Sequence, residues 1–123
     1  ALSGVIKNTI YKFKKLNKIN KISASVGPCI GRKSYEVKIK FYKNFIKENI
    51  SNKQFFKKKS DGKYLFNLRN YVNYKLKIYG VKNIDNIDFD TFKDSTNFFS
   101  YRRSQRLGDP DYGRCISTIC LKT

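Results

Sequence analysis

Apolar side chains recur at helical spacing near the start of the chain: Leu2, Val5, Ile6, Ile10, Phe13 and Leu16, with Lys7, Asn8, Lys12 and Lys15 opposite. The spacing predicts an amphipathic helix over residues 2–16. It starts abruptly, with nothing before Leu2 to cap it, as in a chain cut from something larger. A polar connector, 17–20, leads to a short strand at 22–26. That strand runs into Gly27-Pro28-Cys29-Ile30-Gly31, where two glycines flank Pro-Cys-Ile. Such a loop lets backbone approach something closely, and it reads either as a ligand-facing strand end or as an ordinary strand-to-helix turn. Residues 35–50 form a second helical region, apolar at Val37, Phe41, Phe45 and Ile46, whose first three residues can begin extended. The polar, basic stretch 51–63 is anchored by Phe55-Phe56 and closes on an Asp61-Gly62 turn. After a brief strand at 64–66, Asn67 caps a helix that runs through Tyr79, with Leu68, Tyr71, Val72 and Leu76 inward and Gly80 as its stop. A strand at 81–89, a polar loop at 91–96, a strand at 98–102 and a last strand at 115–121 complete the pattern. No repeat or linker interrupts it, so residues 1–123 read as one α+β domain (mixed α/β), with helices packed on a mixed sheet.

Composition narrows the partners more than the fold. With 123 residues, 40% of them hydrophobic and 15% aromatic, the chain can bury a core. No apolar run approaches the ~18 residues of a membrane span, and no signal-peptide pattern opens the sequence. The expected location is cytoplasmic. A net charge of +18 would normally point to nucleic acid. Here lysine is scattered among Asn and Ile (Lys7, Lys18, Lys38, Lys75, Lys82), which is a bias of the whole sequence rather than a patch. Lys57-Lys58-Lys59 is the one run and reads as a solvated loop, so nucleic acid is not the favoured partner. The three cysteines, Cys29, Cys115 and Cys120, show no CxxC spacing, and the chain has no histidine. It therefore offers neither a zinc set of its own nor the usual general base or Ser/His and Cys/His pairs. Cys29 reads as a small buried thiol.

Candidate chemistry concentrates between residues 97 and 117, NFFSYRRSQRLGDPDYGRCIS. Arginines 102, 103, 106 and 114 flank a turn that carries Asp109 and Asp111. Guanidinium forks bind planar anions and phosphates bidentately. The structural alternative is two strands joined by a loop with its own Arg–Asp network.

Together these landmarks resemble the laccase-domain family, also called multicopper polyphenol oxidoreductase and, more recently, purine nucleoside phosphorylase. The resemblance runs through Val26-Gly27-Pro28-Cys29-Ile30-Gly31, Tyr35-Glu36-Val37, Phe66-Asn67-Leu68 with Tyr71-Val72, and Gly80-Val81. It is clearest in Phe98-Phe99-Ser100-Tyr101-Arg102-Arg103 and Asp109-Pro110-Asp111-Tyr112-Gly113-Arg114. It implies a single α/β domain of about twice this length, of which this chain is the C-terminal half. It implies a zinc enzyme that phosphorolyses adenosine, inosine or guanosine and hydrolytically deaminates adenosine; an older copper-dependent phenol oxidation is attached to the name. The implied metal ligands, two histidines and a cysteine, belong to the N-terminal half and are absent here. Asp90-Thr91-Phe92 stands where the family often has a cysteine.

On this resemblance, Arg102, Arg103, Tyr101, Gly27, Cys29 and Gly31 are candidates for holding nucleoside and phosphate. Arg102 and Arg103 alternate on a strand, so at most one faces a cleft. The 27–31 loop offers backbone N–H groups to an anion, and Arg114 pairs with Asp109 or Asp111 to shape its loop. Each of these residues has a structural reading of equal weight. The chain alone is expected to be inactive and to associate with itself through apolar surface. A non-catalytic remnant or binding module is the second reading, and a basic nucleic-acid-binding protein the third.

Overall fold

The fold is given by a computed structural model that describes residues 3–17 and 22–120. In chain order it contains α1 (Val5–Asn17), β1 (Ser23–Val26), β2 (Glu36–Val37) and α2 (Ile39–Glu48). A 3₁₀ helix (Ile50–Phe55), β3 (Phe56–Lys58), β4 (Tyr64–Phe66), α3 (Leu68–Ile78), β5 (Asn83–Asn86) and α4 (Tyr101–Leu107) follow. The class is mixed α+β, as expected, but the strands divide into two sheets instead of forming one mixed sheet. β1 and β5 pair in parallel, with Val26 opposite Asn86, while β2, β4 and β3 form an antiparallel sheet in that order.

Aromatic side chains build the core. Phe45 of α2, Phe55, Phe66 of β4 and Tyr71 of α3 are buried together with Val37, and Tyr35, Phe41, Phe56, Tyr64 and Tyr74 pack around them. Phe45 lies 4.9 Å from Phe66 and 5.0 Å, edge-on, from Tyr71. Such pairs contribute roughly 0.5–1.5 kcal/mol beyond burial. Tyr71 is wholly buried, and its hydroxyl donates to Glu48 Oε2 at 3.1 Å, so no polar atom of its ring is stranded. Lys75 completes that cluster by pairing with Glu48 at 2.8 Å.

Helix ends follow local rules. The Asn67 side chain accepts from Asn70 N–H, which starts α3 as the sequence predicts. At its end, Gly80 adopts a left-handed φ of 91°, and Val81 N–H returns to Leu76 O at 3.0 Å. That closure ties Val81 to the helix, which is why the strand expected over 81–89 is confined to Asn83–Asn86. Leu2 and residues 18–20 of the expected connector lie outside the described residues. Of the predicted apolar face of α1, Ile10 is buried, whereas Val5, Phe13 and Leu16 stay exposed.

Three further expectations are corrected. Residues 98–102 are not a strand: Ser100 accepts from Arg103 N–H and caps α4, which Gly108 ends in a left-handed conformation. Arg102 and Arg103 are therefore neighbours on a helix and do not alternate across a sheet. Residues 115–120 form no strand and are exposed, because no described strand offers them a ladder; Leu121 lies outside the described residues. The lysine run is not a loop: Lys57 and Lys58 sit in β3, and Lys59 is held by Glu36 and Asp61.

Candidate functional site

The 27–31 loop reaches the later part of the chain by prolonging the parallel pairing of β1 and β5. Ile87 N–H donates to Val26 O at 2.9 Å, Cys29 N–H to Phe89 O at 3.4 Å, and Thr91 N–H to Cys29 O at 3.1 Å. This ladder sets the loop beside residues 90–92. Asp90 then locks it. Its carboxylate accepts from the Ser34 hydroxyl at 2.6 Å and from Phe92 N–H at 3.0 Å. Burial opposes ionisation of Asp90, but the Ser34 hydroxyl and the N–H groups of Gly31 and Phe92 outweigh it and hold the carboxyl below its ordinary range. A Cβ on Gly31 would stand 2.4 Å from Asp90 Oδ2, so glycine is required there for close approach.

Between this loop and the start of α4 lies a cavity of about 270 Å³, lined by Ile30, Tyr35, Thr91, Phe99, Tyr101 and Arg102. A neighbouring cavity of about 630 Å³ shares Tyr35, Tyr101 and Arg102 and extends along α2 to Lys38, Lys40 and Asn44. Arg102 stands between the two. One of its Nη atoms donates to Glu36 O at 2.6 Å, and the guanidinium lies 5.4 Å from the centre of the Tyr35 ring. A guanidinium has five donors, so this anchoring leaves several for an anion. Tyr101 is half exposed, and its ring meets Tyr112 at 4.8 Å. A cation beside an aromatic face suits a ligand that carries both a phosphate and a flat ring.

The other sequence candidates are placed differently. Arg103 is turned inward: its Nη1 donates to Thr91 O and Phe92 O, both at 2.9 Å, and its Nη2 to Phe98 O. It braces the loop that leads into α4. Cys29 is partly exposed, contrary to the buried thiol expected, and receives a weak contact from Arg69 Nη2 at 3.7 Å. Gly31 borders a third cavity of about 440 Å³, with Arg69, Asn70 and Asp88. Gly27 faces Ser117 and lines none of these cavities. Arg114 pairs with Asp111 at 3.7 Å rather than with Asp109 and lies over the Tyr112 ring.

Three contributors were not singled out from the sequence: Tyr35, Asp90 as a lock, and Arg69, which donates to Ile87 O and Phe89 O and pairs with Asp88 at 3.1 Å. A signal existed for Arg69, since only six of the 27 basic residues are arginine. Where lysine is the default cation, an arginine marks a place that needs a fork. The described residues do not fit a zinc site: the sequence has no histidine, and no three Cys, Asp or Glu side chains come together. Among the described residues, no helix is long and apolar enough to cross a membrane.

A model of the multi-copper polyphenol oxidoreductase laccase family matches residues 1–122. A purine nucleoside phosphorylase of Rickettsia conorii is 37% identical over 123 residues, which is 99% of this chain and 51% of that protein. A purine nucleoside phosphorylase of Haemophilus influenzae is 33% identical over 107 residues, covering 85% of this chain and 43% of that one. The crystal structure of Neisseria meningitidis protein NMB0706 superposes with a TM-score of 0.72 at 26% identity, over 83% of this chain and 41% of that chain. The chain thus spans about half the length of the relatives it matches.

Proposed function

The chain belongs to the multi-copper polyphenol oxidoreductase laccase family, and from that premise we propose that it is the C-terminal half of a purine nucleoside phosphorylase. In phosphorolysis a phosphate oxygen attacks C1′ of the ribose and the C–N glycosidic bond breaks. The bonding pair leaves with the purine, which takes up a proton, so ribose 1-phosphate and free base result. The catalyst must hold an anion beside a flat base and stabilise charge as it moves. The observation that carries the reading is Arg102, anchored to Glu36 O beside the Tyr35 ring and lining two cavities that Tyr35 and Tyr101 also line. Its free donors serve the phosphate, and the rings serve the base. Any zinc or copper of the whole enzyme is assigned to the other half of the domain.

The test uses a protein that joins this chain to the half of the domain its relatives carry beyond the match. It is supplied with inosine, guanosine or adenosine and phosphate, and the products are separated by chromatography. Free base and ribose 1-phosphate are expected; inosine formed from adenosine reads hydrolytic deamination in the same assay. Arg102→Ala is expected to raise KM for phosphate about tenfold or more, equivalent to about 1.4 kcal/mol. An unchanged KM would remove Arg102 from phosphate binding. If no purine nucleoside releases base, the phosphorylase reading fails.

A further inference from the structure

The chain has six arginines, and the structure accounts for five of them. Arg69 and Arg103 hold backbone carbonyls, Arg102 stands in the candidate site, and Arg106 and Arg114 lie over the rings of Phe92 and Tyr112. Arg32 remains. It is exposed, and among the described residues none accepts a hydrogen bond from it, pairs with it or offers it a ring. In a chain whose default cation is lysine, an unused guanidinium fork points to a ligand from outside the chain. Its setting is preformed. Gly31 O accepts from Ser34 N–H at 2.9 Å and from Tyr35 N–H at 3.0 Å, and the Ser34 hydroxyl is tied to Asp90. That closes a tight turn which carries Arg32 and Lys33. Arg32 and Asn67 line two cavities at once. One, of about 330 Å³, adds Lys33 and, from β3, Lys57, and no carboxylate lines it. The other is the cavity of about 440 Å³ at Arg69, which adds the amides of Asn70, Asn73 and Asn86. Its two carboxylates are engaged, Asp88 by Arg69 and Asp90 by Ser34. Asn67 Oδ1 accepts from Asn70 N–H, which leaves Nδ2 as a donor. Both volumes fall within the roughly 300–1,000 Å³ of small-molecule sites. Neither Arg32 nor Asn67 lines the cavities at Arg102.

We infer that Arg32, Lys33, Lys57 and Asn67 form a second ligand site, which takes the phosphate group of a small, polar phosphate monoester. The Arg32 fork holds two phosphate oxygens. The two lysines neutralise the dianion, which no carboxylate opposes within the smaller cavity. The larger cavity takes the carrier. Its wall of amides suits hydroxyl groups, such as those of a sugar, and not an apolar body. The inference goes beyond the reaction proposed above and does not depend on it.

The chain is labelled with nitrogen-15 and titrated, at constant ionic strength, with inorganic phosphate, with ribose and with ribose 5-phosphate. The amide resonances of residues 32–34, 57 and 67 are followed, and the titrations are repeated on the joined protein. Phosphate is expected to shift these resonances saturably, and ribose alone to leave them in place. Ribose 5-phosphate should bind about tenfold more tightly than phosphate, through the added hydrogen bonds of its carrier. Arg32→Gln should weaken both about tenfold and leave the melting temperature of the free protein unchanged, since its side chain has no contact to lose. Lys57→Gln, on a separate element, should weaken them about threefold. Arg102→Ala should leave them as they are; loss of binding there would merge this site with the one at Arg102 and overturn the inference. Failure of phosphorolysis in the joined protein would sink the phosphorylase reading and keep this site. The inference is also overturned if sodium chloride of equal ionic strength produces the same shifts, if Arg32→Gln binds equally or melts lower, or if ribose 5-phosphate binds no tighter than phosphate. A single-stranded oligonucleotide that displaces ribose 5-phosphate at lower concentration would overturn it too, by making this surface a nucleic-acid groove.

Discussion

Asp90 is one carboxylate that organises several backbone groups. It receives the Ser34 hydroxyl and Phe92 N–H, it sits against Gly31, and its own carbonyl accepts from Lys93 and Asp94 N–H groups. Hydrogen bonds to a charged acceptor contribute more than neutral ones, and stranding their donors costs about 1–3 kcal/mol. Asp90→Ala is expected to lower unfolding free energy by about 2 kcal/mol, read from urea denaturation with an unchanged slope. A loss under 0.5 kcal/mol would mean that water replaces the carboxylate without cost. Cysteine at this position would not serve as well, because a thiol accepts weakly. The carboxylate at position 90 therefore has a structural role. Arg103 works in the same way from the donor side, with three carbonyls on one planar fork.

At the scale of elements, what was legible depended on whether the deciding contacts were local. α3 could be read because Asn67, the apolar repeat and Gly80 all lie within it. α4 carried equally local signals, with Ser100 as cap and Gly108 as stop. The aromatic residues 98, 99 and 101 outweighed them and gave a strand. The 115–120 segment has a strand's β-branched side chains, Ile116, Thr118 and Ile119, but a strand needs a neighbour, and that contact is not in the local sequence. The same distinction holds at the site. Tyr101 and Arg102 stand in a motif that the sequence singles out, whereas Tyr35 joins their cavities only through tertiary packing. α4 buries none of its residues fully, so its cap carries unusual weight. Ser100→Ala is expected to cost about 1 kcal/mol and to loosen Arg102, visible as faster amide exchange across Tyr101–Leu107; unchanged exchange would show that Arg103 alone holds the helix. Between elements, Glu36 ties β2 to the β3–β4 hairpin through Lys59 and Lys63. Those two hydrogen bonds lower its pKa from 4.5 to about 2. The folded carboxyl therefore binds fewer protons than the unfolded one, and the stability it adds is present above about pH 4.5 and lost as pH falls toward 2. Glu36→Gln should flatten the fall in melting temperature between pH 4.5 and 2. An identical profile for the variant would assign that slope to other carboxylates.

For the whole molecule, 27 basic residues face nine acidic ones, and charge repulsion opposes the compact state. The acidic groups that form ion pairs, among them Glu36, Glu48, Asp61 and Asp88, are each matched to particular Lys or Arg partners. Lys57 and Lys58 lie exposed at successive positions of β3 with no such partner among the described residues. Screening shortens from ~30 Å at 0.01 M salt to ~10 Å at 0.1 M, a range over which repulsion between separate lysines fades sooner than attraction within a contact pair. Salt should therefore stabilise this chain at pH 7. Between 10 and 300 mM sodium chloride the melting temperature is expected to rise by about 3–6 °C, which corresponds to roughly 1 kcal/mol for a domain of this size. Salt also favours burial of the exposed Ile116 and Ile119 against a second chain, which would raise the melting temperature by association. Only that second effect depends on protein concentration, so the scan is repeated over a tenfold dilution. A rise that survives dilution belongs to the charge of the single molecule; one that disappears belongs to its apolar surface; a fall with salt would show that the ion pairs outweigh the repulsion.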